Sequence, residues 1–523
     1  MGSMNRKEVM SFMLEVEQMF PVDEWAIDKV HIWSLIRVQL AFRIDDSLNN
    51  RGQKAITSAH ASGDRALASF AKLKLVSMFR KVRFLVSKTK QNIVSRYYVL
   101  RTKIDKKSDF NKARVFISNF SHYRVFVNDK WYSKFTDPLV DYFKSKHIPC
   151  LTLEFTDSVA YQTNRYNEDS IVNYAHFLNI DRQQLKKKSE LNIALKDYEE
   201  FLNFAESRLG KNNTEYLQLD SIIEQTKYLL ALKENFKQLL LNSQAKLVFL
   251  VNYYEIKGMA LCAACDELKI PSIDLQHGIQ GDIHIAYGNW SKTPPEGFAT
   301  LPAIFWNWNQ NQASSIDRWA KYSRKHSSLV GGNLFLQKSS NNEKLKSDRY
   351  SLELEKIKDA DTINILFTLQ PFEGCLSDRF LEVYQNSPRN WRWLFRLHPR
   401  QSLDDPIVEL LKHKYKNAKS EIDFISNCPL NILLEHIDLH VTQFSSVVLE
   451  AEHFGIPSVC LHPNSLNLFE AQINNGIAIH ASENTQEMLD CIKSQLSLEH
   501  NFKHKNVDYK KQIEALIQQY QVI

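Results

Sequence analysis

Three short stretches hold the side chains best suited to chemistry. In "FRLHPRQS" (395–402), Arg396, His398, Pro399 and Arg400 follow an apolar run. Two guanidiniums and an imidazole suit a phosphate or diphosphate; a strand-end histidine beside surface arginines is the plainer account. In "VTQFSSVVLEAEHFGIP" (441–457), Ser445 and Ser446 open a helix that carries Glu450. Serine caps helices, but a helix N-terminus also attracts anions, and two hydroxyls add donors. Glu450, one turn in, can accept from a ribose or be buried with a partner. In "IDLQHGIQGDIHIAYGNW" (273–290), Gln276, His277 and Gly278 precede Asp282 and His284. An imidazole that titrates near neutrality can act as a general base or a phosphate donor. Gly278 is expected to allow the tight turn that presents it. Two earlier strand ends add "ISNFSHYR", with Asn119 and His122, and "LEFTDS", with Glu154 and Asp157 as further base candidates.

The elements that must carry these residues follow from periodicity. "ARVFISNF", "IPCLTLEF", "AKLVFLVNYY" and "IPSIDLQHG" read as buried strands, separated by helical stretches such as "EIKGMALCAACDEL". After the polar stretch "VGGNLFLQKSSNNEKLKSD", the alternation resumes with "TINILFTLQP", "WRWLFRLHP", "HIDLHVTQFSS" and "IPSVCLH". Strand–helix–strand repetition builds parallel sheets, and such sheets bind ligands beyond the carboxyl ends of their strands. The chain divides on this reading into a helical region 1–108, a first parallel-sheet domain 109–335 and a second 336–523. The helical region contains a basic stretch, 70–107, whose apolar face is edged by Lys72, Arg80, Arg83, Lys88 and Lys90. It suits an anionic membrane surface or packing on the next domain.

Composition removes several classes. The 523 residues are 44% hydrophobic and carry a formal net charge of +6, ordinary for a globular chain with a mild preference for anionic partners. The cysteine count is odd, 7, and most cysteines sit in apolar surroundings, which points to reduced thiols in a cytoplasmic setting. Cys262 and Cys265 form one CxxC without a second pair, a pattern for helix packing rather than zinc. "MGSM" reads as an expression remnant rather than a signal peptide. The sequence has no P-loop, no GxGxxG after a strand, no HExxH and no GxSxG elbow. It also lacks any nucleic-acid-binding motif, so no nucleic-acid partner is expected.

"LHPR" followed by "QFSSVVLEAEHFGIP" resembles the HP and SS motifs of bacterial sialyltransferases and of the Kdo transferases that build capsules and lipopolysaccharides. The resemblance spans about residues 245–480. It implies an α/β fold of the GT-B architecture, two Rossmann-like parallel-sheet domains facing a cleft, here with a helical N-terminal extension. It also implies that His398, Pro399, Ser445 and Ser446 hold the phosphate of a CMP-activated sugar, without metal or cofactor. The partners implied are a nucleotide-sugar donor and a lipid-linked or polymeric glycan acceptor. "QHG" is similar to the HG element of teichoic-acid polymerases, which use CDP-activated polyols, although the Thr-Pro that usually follows is absent. The sialyltransferase motif that carries the base is not recognisable, so His277, Glu154 and Asp157 all stay open for that role. A CDP-polyol phosphotransferase, a UDP- or GDP-sugar transferase and a non-catalytic glycan-assembly scaffold are the alternatives.

Overall fold

The computed structural model describes residues 6–41, 113–127, 129–155, 164–173, 191–341, 348–355, 361–372, 374–415, 419–482, 484–498 and 507–523. The basic stretch 70–107 and Asp157 lie outside them. The described chain forms two units.

The first unit is built on a parallel sheet of strands β1 (Val115–Phe120), β2 (Cys150–Phe155), β3 (Ile171–Asn173), β4 (Leu247–Val251), β5 (Ser272–Leu275), β6 (Ile304–Asn307) and β7 (Ser327–Val330). Their spatial order is β7-β6-β5-β4-β1-β2-β3, and every pairing is parallel. The apolar runs reflect this: β1 and β4 are buried at every position, as a sheet covered on both faces requires. The sequence reading did not identify β6 or β7. A long helix, α3 (Leu219–Ser243), buries Leu229, Leu232, Phe236 and Leu240 at helical spacing; it is preceded in the chain by α1 (Arg6–Met19) and α2 (Asp137–Ser145).

The N-terminal residues are not a separate layer. Phe12, Val16, Trp25 and Trp33 share the first unit's core with Phe201, Leu232 and Val248. Arg37 and Glu17 form a fully buried ion pair at 2.8 Å. The same carboxylate accepts from Trp33 Nε1 at 2.9 Å and from the Ser291 amide at 2.7 Å, and Arg37 donates to the Gly288 carbonyl at 2.8 Å. The N-terminal helices therefore clamp the loop that follows His277, and the expected boundary near residue 108 does not separate residues 6–41 from this unit.

The second unit carries strands β8 (Ile363–Thr368), β9 (Trp391–Arg396), β10 (Leu439–Thr442), β11 (Ser458–Cys460) and β12 (Ala478–His480), in the order β9-β8-β10-β11-β12, all parallel. Alternate residues of β8 enter different clusters: Ile365 and Phe367 pack with Trp393, Phe395 and Val441, whereas Leu366 packs with Leu394, Ile432 and Ile456. This unit comprises Val125–Lys130 and Gly332–Tyr509. Lys510–Ile523 belong to the first unit, where Tyr142 of α2 donates to Glu514 at 3.1 Å and Lys146 pairs with it at 3.2 Å. Among the described residues no helix is long and apolar enough to cross a membrane.

Candidate functional site

Each sheet reverses its strand order at one strand, and the crevice at such a reversal is where doubly wound sheets bind ligands. In the second unit the reversal is at β8, flanked by β9 and β10. Thr368 is in register with Arg396 on one side and Thr442 on the other. Two residues further along, past the strand ends, come His398, Gln370 and Phe444. Backbone bonds continue the row: Leu369 N–H donates to Arg396 O at 2.9 Å, and Phe444 N–H donates to Gln370 Oε1 at 2.8 Å.

His398 is half-buried. Its Nδ1 accepts the Arg400 amide at 3.1 Å, so the proton of the neutral ring sits on Nε2. That nitrogen takes no partner among the described residues. Burial, with the Arg400 charge, lowers its pKa from 6.5 to about 4. At neutral pH His398 is thus an uncharged N–H donor held by its own turn, which Gln401 closes by accepting the His398 amide at 2.9 Å. Pro399 and Arg400 are exposed in that turn.

Arg396 does something else. Its Nη1 donates to the carbonyls of Ile425 and, at 2.7 Å, Cys428. These lie at the end of helix α5 (Lys419–Asn427) and just past it. The guanidinium satisfies carbonyls that a helix C-terminus leaves without amide partners. The expectation that Arg396 binds phosphate is corrected accordingly: its side chain leaves the row to hold α5 against the sheet.

Ser445 and Ser446 follow Phe444. The Ser445 amide donates to Thr442 Oγ1 at 3.2 Å, and its hydroxyl faces the Val447 amide at 3.4 Å. Ser446 is the first residue before helix α6 (Val447–His453), and its side chain does not cap it. The capping account therefore does not explain the Ser446 hydroxyl. The helix is short, 7 residues, so its dipole adds less than the sequence suggested. Glu450 is half-buried and close enough to Arg396 for the two charges to interact. Phe444 stacks on Phe372 at 5.8 Å with 15° between the rings, and His462 lies 4.9 Å from Phe444.

In the first unit the reversal lies between β1 and β4. The QHG loop follows β5, next to β4. Gln276 is its staple: its carbonyl oxygen accepts the Trp308 amide at 2.7 Å and its amide donates to Gly278 O at 2.9 Å. His277 stands among Tyr123, Phe135 and Tyr254, with ring centroids 5.6, 6.4 and 5.8 Å away. Its Nε2 is 3.1 Å from Tyr254 Oη, and burial lowers its pKa to about 4. Gly278 has no left-handed φ, and a Cβ there would meet open space. The turn therefore does not require glycine, contrary to the expectation. Asp282 pairs with Arg318, and His284 packs between Tyr254 and Tyr287 while its Nδ1 accepts the Ala286 amide at 3.3 Å.

Beneath this loop lies a residue the sequence reading passed over. Asp274 is fully buried in β5, accepting from Tyr287 Oη at 2.8 Å and the Tyr253 amide at 3.0 Å. Burial pushes its pKa up to about 8, so near neutrality it is largely a neutral acid that ties two strand-end loops together.

Glu154 is placed as a structural anchor. It is 0% exposed and is gripped by Arg124 Nε at 2.8 Å, Arg165 Nη1 at 3.2 Å and Asn119 Nδ2 at 3.1 Å. Two guanidiniums on one carboxylate stabilise its charge and leave no lone pair aimed at a substrate. Asn119, wholly buried, is a partner in this cluster rather than a loop residue. His122 is exposed and packs on Tyr123, 4.3 Å between centroids. Cys262 and Cys265 are buried in helix α4 (Ile256–Leu268), as packing residues.

The residues that sequence reasoning missed in the second unit, Gln370 and Phe444, had one usable signal. The first strand of a doubly wound unit is where the order reverses, so the loop after "INILFT" was the place to look.

No family model and no curated protein sequence matches the chain. Solved structures do. The chain is similar to UDP-GlcNAc 2-epimerase from Methanocaldococcus jannaschii, with 13% identity over 77% of this chain and 99% of that one and a TM-score of 0.50. A putative UDP-N-acetylglucosamine 2-epimerase from Listeria monocytogenes has 12% identity over 78% and 97%, with a TM-score of 0.49. The calicheamicin glycosyltransferase CalG4 has 12% identity over 78% and 98%, with a TM-score of 0.41. At such identities the likeness is one of fold, and the fold is α/β with two parallel-sheet units of the GT-B kind.

Proposed function

We propose that the protein is a glycosyltransferase that moves an acidic 3-deoxy sugar, Kdo or a sialic-type nonulosonate, from a CMP-activated donor onto a bacterial surface glycan. The observation that carries this reading is the row of His398, Gln370 and Phe444–Ser445 at the strand reversal of the second unit. Neighbouring strands lie about 4.8 Å apart, so the His398 and Phe444 backbones are separated by roughly 10 Å. Side chains from both ends of that span can reach one phosphate. The Nε2–H of neutral His398 and the hydroxyls of Ser445 and Ser446 would donate to the phosphate oxygens, with exposed Arg400 adding charge. Preformed donors aimed at a leaving phosphate lower the barrier as its charge grows. On the acceptor side, His277 is neutral at physiological pH and able to take a proton, whereas Glu154 is fully committed to its arginines. The resemblance of the HP and SS elements supports CMP over other nucleotides.

A second reading is a UDP-N-acetylhexosamine enzyme on the same fold, supported by the likeness to the Methanocaldococcus jannaschii UDP-GlcNAc 2-epimerase. Incubation of the purified protein with CMP-Kdo, CMP-N-acetylneuraminate, CDP-glycerol and UDP-GlcNAc, with and without bacterial glycan, separates the two. The expected result is CMP release together with an acceptor mass gain equal to the acidic sugar. Consumption of UDP-GlcNAc alone would establish the second reading, and a polyol phosphate mass gain would establish a phosphotransferase. If none of the nucleotides raises the melting temperature, both nucleotide readings fail.

A further inference from the structure

Beside the strand reversal of the first unit, a cavity of about 620 Å³ opens. That volume falls within the roughly 300–1,000 Å³ of small-molecule sites. Its polar wall comes from Gln39, Ser221, Gln225, Asn252, Tyr254 and Glu255, and Leu35, Val38 and Met259 supply apolar surface. Asn252 to Glu255 directly follow β4, one of the two strands that flank the reversal. The crevice therefore sits where a sheet of this order offers one.

The wall's hydrogen-bonding state indicates what it would hold. Asn252 is 6% exposed and sits in the left-handed region, φ 66°. Its amide nitrogen donates to Glu255 at 3.3 Å, while its buried carbonyl oxygen accepts no hydrogen bond. Helix α4 presses on this turn: a Cβ at Gly258 would lie 2.6 Å from Tyr253 O and 2.7 Å from Asn252 O. The backbone that carries the Asn252 side chain is thus fixed against the helix. Gln39 repeats the pattern. Its nitrogen donates to Gln225, and its own carbonyl oxygen is enclosed without a donor. Folded proteins leave few buried acceptors unmatched, because each costs about 1–3 kcal/mol. Two in one wall call for a ligand that brings donors. Among the described residues no Lys, Arg or His lines the cavity, and Glu255 is the one charged residue of its lining. Phosphates and carboxylates are disfavoured there. Hydroxyl donors on a ring with an apolar C–H face meet both the amides and the Leu35–Val38–Met259 surface.

We propose that this cavity binds an uncharged, hydroxyl-rich sugar residue, the one that receives the transferred group. The acceptor assignment rests on the transferase reading above; the ligand chemistry rests on the cavity alone. Tyr254 belongs to this wall and its hydroxyl contacts His277 Nε2, which puts the base candidate beside the bound sugar.

The test is saturation-transfer NMR on the full chain with methyl β-galactoside, methyl N-acetyl-β-glucosaminide and, as the anionic control, methyl β-glucuronide. Binding of CMP and UDP is measured on the same samples. At least one neutral glycoside is expected to bind, with the glucuronide roughly tenfold weaker or more, the scale of one uncompensated charge or hydrogen bond. Ser221→Trp fills the cavity and is expected to abolish the signal; Gln39→Leu removes one amide oxygen and is expected to weaken binding about fivefold to tenfold. Both should leave nucleotide binding and the circular-dichroism melt unchanged. Should Ser221→Trp fail to fold, Gln39→Leu decides. The proposal is overturned if no neutral glycoside binds, if the glucuronide binds better, or if the folded variants bind like the parent. Glycoside binding without any nucleotide binding would keep the neutral-sugar site and refute the transferase reading.

Discussion

The carboxyl edges of the two sheets make opposite use of charge. In the first unit the strand-end region is furnished with acids: Asp274 buried beneath the QHG loop, Glu154 between two arginines, and Glu255 on the cavity wall. Aromatic rings surround its one central imidazole, His277. In the second unit the corresponding row offers neutral donors, His398, Ser445 and Ser446, with Arg400 exposed beside them. At the first edge the acids are spent inside the fold, Asp274 on two loops and Glu154 on two arginines, whereas at the second the donors are left to meet an anion. A parallel-sheet frame thus fixes where a ligand sits but not its sign; the residues just past the strands decide that.

The comparison can be broken most severely at Glu154. Glu154→Ala leaves Arg124 and Arg165 without their shared carboxylate in a dry interior, and loss of one partner of a buried pair costs about 3–5 kcal/mol. Denaturant unfolding checks this. A loss under about 1 kcal/mol would mean the cluster is not structural and would reopen Glu154 as a base.

Next comes His398→Ala. Removing one preformed donor from a developing oxyanion typically costs about 10²–10³ in turnover. Stability should change little, because the half-buried ring makes only the local contact to Arg400. A change of less than threefold in transfer would remove His398 from the phosphate site.

Arg396→Met separates the corrected expectation from the original one. Loss of its charged hydrogen bonds to the Ile425 and Cys428 carbonyls should lower stability by roughly 1.5–3 kcal/mol and leave nucleotide affinity unchanged. Weaker nucleotide binding at unchanged stability would restore Arg396 as a phosphate ligand.

A further contrast is in pH dependence. Asp274 has its folded pKa raised from 3.8 to about 8. Its contribution is complete below the ordinary value and is lost as pH rises through about 8. His277 and His398 run the other way. Lowered from 6.5 to about 4, they contribute fully above 6.5 and lose that contribution as pH falls towards 4. Asp274→Asn should therefore remove a decline in melting temperature that runs from about pH 4 to about pH 8, the lower part of which the histidines oppose. An unchanged slope across that range would show that the Asp274 carboxyl ionises near its ordinary value.

Much of this frame was readable from sequence, because long parallel strands covered on both faces must be continuous apolar runs. "VFISNF", "LVFLV" and "WRWLFR" announce themselves this way. Strands β7 and β12 do not: "SSLV" is half polar, and "AIH" has three residues. Their strand character comes from pairing with a neighbour. Site residues divide along the same line. His398 was legible because a proline stops the strand beside it. The fates of Arg396 and Glu154 were not, since their partners lie 29 to 32 and 11 to 35 residues away along the chain. A charged residue at a strand end reads identically whether it turns to a ligand or to a helix carbonyl.

The crossing of the last helix, α7 (Tyr509–Gln519), has a consequence for synthesis. Lys510–Ile523 complete the first unit, although Gly332–Tyr509 of the second are translated before them. Domains generally fold as they leave the ribosome, earlier ones first. Here the earlier unit must wait with the α2 surface around Tyr142 and Lys146 uncovered until Lys510–Ile523 have been made. The second unit, continuous from Gly332 to Tyr509 apart from the short piece Val125–Lys130, can fold in the meantime. The unit translated first is therefore the one finished last.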